Sequence, residues 1–362
     1  MMVKRSVRSA ARAVAATVAI ALVAASCSSD DSGASSDSDD SGSASEVVLV
    51  TYDSFALPEA AAAAFKKETG ASIEVVAAGD SGAMLAGALL TAGSPEGDVI
   101  FGIDNTTAAE VLDQGLLTPY VAKTDAEVRS GVALQGELGE LLTPIDTGDV
   151  CLNSDQEWFT EKGTTAPVSF DDLTTEAFKD LLVVENPVNS SPGMAFMLGT
   201  IETYGEDGWL EYWEALKANG VQVAPSWDDA YYGDYTVSGG DRPTVVSYAS
   251  SPPAEVIFSE GARTEPASVV ALDTCVAQVE YAGILEGAAN PELAEKLVDF
   301  MQTEEWQSAL PETNFVYPVT DAALPDSFVQ WAPRPESPVI VDAVAVGENR
   351  DTWLEQWRSV ME

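Results

Sequence analysis

The densest local chemistry in the chain is Trp227-Asp228-Asp229-Ala230-Tyr231-Tyr232, three aromatic rings and two carboxylates within six residues. Ring faces attract cations, and carboxylates complement them. The same spacing also suits a core, because Trp227 and Tyr231 are four apart and would share one helix face. Tyr52 and Asp53 close an apolar segment, and Tyr248 closes another, Thr244–Ala249. Open α/β sheets bind ligands beyond such strand ends. Asp80, in Ala78-Gly79-Asp80-Ser81-Gly82, is placed either to cap a helix or to face a ligand. Ser190 and Ser191 precede Pro192-Gly193 at a helix start, where free N–H groups suit an anion and serine hydroxyls also serve as caps.

Other chemistry is excluded by composition. The 362 residues contain no histidine and three cysteines. Ser-His-Asp and Cys-His nucleophiles, His-ligated metals and four-thiolate zinc are therefore absent. The 17 Lys and Arg against 59 Asp and Glu give a formal net charge of −42. Nucleic-acid phosphates repel such a chain, since that binding depends on Lys and Arg releasing counterions. Neither GxxxxGK[ST] nor GxGxxG occurs.

The candidate residues must be positioned by alternating strands and helices. Val47–Tyr52, Ser72–Ala77 and Asp98–Ile103 read as strands. Between them, Pro58–Thr69 and Ala83–Thr91 read as helices, and Thr106–Gln114 as another. This order predicts a parallel sheet flanked by helices. Further strands are expected at Leu181–Glu185, Val221–Ala224 and Thr244–Ala249. Helices are expected at Gly193–Tyr204, Asp207–Ala218, Pro291–Met301 (capped by Asn290) and Asp351–Met361. The length after Glu46 fits two α/β lobes better than one core.

The first 46 residues read as a leader. Lys4, Arg5, Arg8 and Arg12 precede the apolar run Ala13–Ala25, a signal-peptide pattern too short for a membrane span. Cys27 follows Ala24-Ala25-Ser26 as in a lipobox, where the thiol is acylated. Residues 28–45 are only Ser, Asp, Gly and Ala, which suits a flexible tether. The expected organisation is thus a signal peptide over 1–26 and a lipidated tether over 27–46.

Six segments, in order, resemble the thiamine-binding solute-binding proteins of bacterial ABC importers. They are Thr51–Phe55, Gly102–Asn105, Asn189–Gly193, Trp227–Tyr231, Ser247–Pro252 and Asn314–Val319. The resemblance implies an α/β, two-lobed periplasmic-binding-protein type II fold, each lobe a mostly parallel sheet. Lobe 1 would comprise 47–147 plus 276–362 and lobe 2 148–275, with two crossover strands as the hinge. It implies a non-enzymatic protein, exported and monomeric, that captures thiamine or its phosphate esters between the lobes. The implied partners are an ABC permease and its ATPase, with membrane contact through the lipid alone and no cofactor or metal. Ligand contacts would come from Tyr52, Asp53, Asp80, Ser190, Ser191, Trp227, Tyr231, Tyr248 and Phe315. Ser190-Ser191 would meet a phosphate. Three aromatic positions of the family differ here, at Ala254, Phe315 and Ala56-Leu57-Pro58, which predicts a thinner aromatic box. Cys151 and Cys275 fall on the implied crossovers, where a disulfide is expected. Other cargoes remain open: a thiamine precursor, a polyamine, or ferric ion at Tyr231-Tyr232. So does a thiamine-processing enzyme, which needs a free cleft cysteine.

Overall fold

The computed structural model describes residues 45–362; the expected signal peptide, Cys27 and the expected tether up to residue 44 lie outside the described residues. In chain order the first elements are β1 (Glu46–Thr51), α1 (Glu59–Thr69), β2 (Ser72–Ala77), α2 (Ser81–Leu90), β3 (Val99–Asp104), β4 (Leu117–Thr118) and α3 (Glu137–Leu141). Next come β5 (Thr143–Asp155), α4 (Gln156–Lys162), β6 (Leu182–Glu185), α5 (Ser191–Ala218), β7 (Gln222–Ala224), β8 (Thr244–Tyr248) and α6 (Pro252–Ile257). The last are β9 (Ser268–Leu285), α7 (Pro291–Phe300), α8 (Glu304–Gln307), α9 (Leu310–Thr313), β10 (Tyr317–Pro318), α10 (Asp326–Trp331) and α11 (Ala343–Met361).

The principal strands form one mixed sheet in the order β2-β1-β3-β9-β5-β8-β6-β7. Its two ends are parallel: β1 pairs with β2 and β3, and β6 pairs with β7 and β8. The centre is antiparallel, because β9 pairs with β3 and β5, and β5 with β8. Two sets of buried apolar side chains flank this centre. One gathers around β1, β3, α1 and α7, with Val47, Phe65, Phe101 and Trp306. The other gathers around β6, β8 and α5, with Val184, Phe196, Trp213 and Val246.

The long pair β5 and β9 joins the two halves. A register shift between Val150 and Leu152 leaves extra residues on β9, and Cys275 in that region is bonded to Cys151, with Cα atoms 4.2 Å apart. Both cysteines are buried. The disulfide expected there is present.

Several local expectations are modified. Thr106–Gln114 does not form an α-helix; only the 3-10 turn Ala108–Val111 does. The Asp104 carboxylate accepts from both the backbone N–H and the hydroxyl of Thr106 at 2.6 Å, fixing a turn in place of a helix. Asn290 provides no side-chain cap to α7. The two helices expected across 193–218 run on as α5, broken only at Gly205, whose φ of 70° and ψ of 171° lie outside helical space. α11 begins earlier than expected, at Ala343, because Asp342 caps it through Val344 and Ala345 N–H. This helix touches both halves. Val346, Trp353, Leu354 and Trp357 join the core around α5, while Arg350 pairs with Glu110 at 3.2 Å.

Candidate functional site

A cavity of about 280 Å³ opens where strand ends from both halves converge. Tyr52 follows β1, Asp80 and Ser81 follow β2, and Ser191 follows β6. Trp227 follows β7, Tyr248 ends β8, and Glu280 comes from β9. The parallel strands thus deliver their C-terminal ends to one place, as open α/β sheets do. Of the nine expected contact residues, seven line the cavity: Tyr52, Asp80, Ser191, Trp227, Tyr231, Tyr248 and Phe315. Asp53 and Ser190 do not. The Asp53 carboxylate turns to accept the N–H of Gly79 at 2.9 Å, and Ser190 is buried behind the start of α5. Asp53 thus holds the loop in shape, whereas the buried Ser190 hydroxyl has no hydrogen-bond partner.

The aromatic wall is built by a π-helical turn, Asp229–Asp234. This wider turn sets Trp227 and Tyr231 face to face, ring centroids 4.9 Å apart and planes at 16°. Tyr232 meets Trp227 edge-on at 5.4 Å and is 55% exposed. Trp227 is fixed at two points: its indole N–H donates to Ser247 Oγ at 3.0 Å, and its backbone N–H donates to Asp80 Oδ2 at 2.9 Å. Packing within a cluster and exposure to the cavity are therefore combined in one side chain. Asp80 likewise does both things its sequence allowed. Its other oxygen caps α2 through Ser81 N–H at 2.7 Å, and the residue lines the cavity.

Glu280 was not singled out in the sequence, although an acid within the apolar run Val279-Glu280-Tyr281-Ala282 was a visible signal. It is 5% exposed and reaches the cavity. Tyr52 donates its hydroxyl to Glu280 Oε2 at 3.1 Å, and Gln278 donates to Oε1 at 3.2 Å. Gln278 also donates to the Tyr248 hydroxyl at 3.2 Å, so three cavity residues share one network. Asp146, buried on β5, is the register partner of Glu280. Burial, and next the negative charge of Asp104, push the Glu280 carboxyl up to about 7. Burial and then Glu280 push Asp146 well above the carboxylate range. Burial also raises Asp80 and Asp104, with hydrogen bonds from Trp227, Ser81, Thr106 and Ser191 offsetting part of the shift. No Lys or Arg lines the cavity among the described residues. Uncompensated buried carboxyls are costly in an empty protein and become favourable when a cation arrives.

At the mouth, one aromatic side chain outside the three altered positions also lines the cavity. Ala56 and Ala254 line the cavity at two of the altered positions. Phe258, one turn beyond Ala254, reaches across and meets Phe315 edge-on at 5.4 Å. Phe315 adopts φ 56°, rare for a bulky residue, which aims its ring at the mouth.

Comparison with known proteins agrees with this architecture. Residues 95–336 match the family model described as bacterial extracellular solute-binding protein. The thiamine-binding periplasmic protein of Salmonella typhimurium is 28% identical over 316 residues, 86% of this chain and 92% of its own. That of Brucella melitensis is 27% identical over 320 residues, 86% of this chain and 91% of its own. Among solved structures, a periplasmic thiamin binding protein superposes with a TM-score of 0.77 at 24% identity, covering 88% of this chain and 96% of that one. Iron-bound HitA from Pseudomonas aeruginosa shares the fold at a TM-score of 0.67 and 20% identity, over 87% and 99% of the two chains. These type II periplasmic binding proteins have the same α/β architecture, and the chain described here belongs to the bacterial extracellular solute-binding protein family.

Proposed function

We propose that this protein captures thiamine in the cavity between its two halves and delivers it to an ABC permease. The observation that carries the reading is a wall of stacked aromatic rings and buried carboxyls that contains no Lys or Arg. Thiamine combines a permanently cationic thiazolium with a flat aminopyrimidine. The first suits Glu280 and Asp80, and the second suits the faces and edges of Trp227, Tyr231 and Tyr232. A well-placed cation–π contact contributes about 0.5–2 kcal/mol. The curated relatives named for thiamine support the choice of ligand.

The reading is of binding without turnover. Cys151 and Cys275 are bonded to each other, which supports it, since a bridged sulfur is no nucleophile. In this proposal the protein works as an exported monomer. Acylated Cys27 tethers it to the outer face of the cytoplasmic membrane, and closure of the halves around the ligand presents a shape the permease accepts.

Calorimetric titration of the purified protein with thiamine, its pyrimidine precursor, a polyamine and ferric citrate tests the reading. Thiamine is expected to bind most tightly. Heat with ferric citrate or the polyamine alone would replace it with a different cargo, and release of free pyrimidine from thiamine would replace it with an enzyme.

A further inference from the structure

We propose that Asp146 is a positioning residue for ligand capture: it stays a neutral carboxylic acid and donates a hydrogen bond to Glu280, so that Glu280 alone of the two carries the charge that meets the cation. The inference rests on the thiamine reading above and assigns how the cavity holds its charge.

The sheet sets the pair. Asp146 on β5 and Glu280 on β9 are directly opposed in the antiparallel register. Opposed residues project to the same face, with Cβ atoms about 4.5–5.5 Å apart. The two carboxyls are in hydrogen-bonding contact. An ionised carboxylate only accepts, so two in contact repel each other unless a proton lies between them.

The surroundings decide which one holds that proton. Glu280 accepts from the Tyr52 hydroxyl at 3.1 Å and from the Gln278 amide at 3.2 Å. Both bonds favour its charged form. Asp146 has no exposed surface, and among the described residues no donor reaches either of its oxygens. An ionised Asp146 would be a buried charge with nothing to offset it, which is costly. As a neutral acid it has one O–H to give, and Glu280 is the acceptor opposite. Burial, and next the Glu280 charge, keep the proton on it.

The groups around the pair bring no cation to it. Tyr52 after β1 and Tyr248 on β8 are kept as neutral phenols by burial and next by Glu280. Asp104, at the end of β3, acts on Glu280 as another acid. On β10 the register partner of Asp146 is Pro318. Arg350 acts on Asp104 and Arg334 on Asp149, and neither lines the cavity. The neutral acid thus gives Glu280 a third donor without a positive charge that would cancel its own. Asp146 does not line the cavity either, so it acts through Glu280.

Two measurements on the intact protein test the proposal. The first needs no ligand. At about pH 8 Glu280 is mostly ionised, and the infrared spectrum should still contain a neutral carboxylic-acid carbonyl stretch that Asp146→Asn removes. The same band in both proteins overturns the inference, whatever the cargo. The second is calorimetric titration with thiamine across the pH range around neutrality. Asp146→Ala, which removes the donor, should weaken thiamine at least about threefold near pH 7 and move the midpoint of the affinity profile to higher pH. Asp146→Asn, whose amide still donates, should rescue both. A loss in Asp146→Asn as large as in Glu280→Gln would make Asp146 a second charge, and an unmoved midpoint in Asp146→Ala would leave it no positioning role. Either result overturns the inference while the thiamine reading stands. Absence of thiamine binding by the unaltered protein overturns the functional reading and the role in capture with it, whereas the infrared band still decides the proton on Asp146.

Discussion

Two aromatic clusters in this molecule use the same residue types to opposite ends. Around α5, Trp213 meets Phe196 at 5.6 Å and 85°, and Trp357 at 5.6 Å and 84°. These are edge-to-face contacts in a closed core, and Trp213 has no exposed surface. In the cavity, Trp227 and Tyr231 stack nearly parallel, and Tyr232 remains more than half exposed. Edge-to-face packing exhausts ring faces and edges on one another. Parallel stacking on one side only leaves part of the surface available. The first cluster spends its aromatic area on folding, and the second keeps some of it for a ligand.

Substitutions separate the two roles. Trp213→Ala should produce the largest effect, a stability loss of about 3–5 kcal/mol in chemical denaturation, with thiamine affinity per folded molecule unchanged. Trp227→Ala should weaken thiamine about tenfold or more by calorimetry and cost distinctly less stability, since its ring is only partly buried. Equal stability losses from the two changes would erase the distinction and return Trp227 to the core.

The carboxyls of the cavity sharpen the same contrast through pH. The unfolded chain releases the Glu280 proton near the ordinary glutamate value of 4.5, but the folded chain holds it to about 7. Across that window the folded form carries more protons, so stability of the empty protein falls as pH rises, by up to about 1.4 kcal/mol per unit for one proton. A bound cation favours the charged carboxylate, so affinity runs the other way and should rise about tenfold between pH 6 and pH 8. Thermal unfolding across pH with and without thiamine measures both slopes. Glu280→Gln should flatten the affinity slope; a slope unaltered by that change would assign the titration to another group. The smallest effect is expected at the rim. Phe258→Ala should weaken thiamine only about two- to threefold, because Phe258 is 63% exposed and screens the mouth rather than the ring.

Much of this site was legible as strand ends. Tyr52, Asp80, Trp227 and Tyr248 all follow apolar segments whose β-periodicity was plain, and all four reach the cavity. Asp53 and Ser190 adjoin lining residues in sequence but lie off the cavity, Asp53 bonded to the Gly79 N–H and Ser190 buried, a difference of one residue that only the folded turn decides. Glu280 was marked in the sequence only as an acid within an apolar run, and that it reaches the cavity follows from the pairing of β9 on both edges. Ser81 carried no assignment in the sequence, and its partner Ser191 lies 110 residues away. Phe258, one helical turn after Ala254, lines the mouth without any signal at its own position in the sequence. The fold was legible at its parallel ends. Its antiparallel centre was not, because the lengths of β5 and β9 depend on each other across a long sequence separation.

The placement of α11 has a consequence for how the chain comes to be folded at all. Val346, Trp353, Leu354 and Trp357, all on α11, complete the core whose other buried members lie between Val150 and Val276. That core stays open until α11 is available, and contacts so distant in sequence form slowly. A polypeptide built this way keeps that core unfinished until α11 has joined it. α11 thus makes completion of that core depend on a contact between segments far apart in the chain.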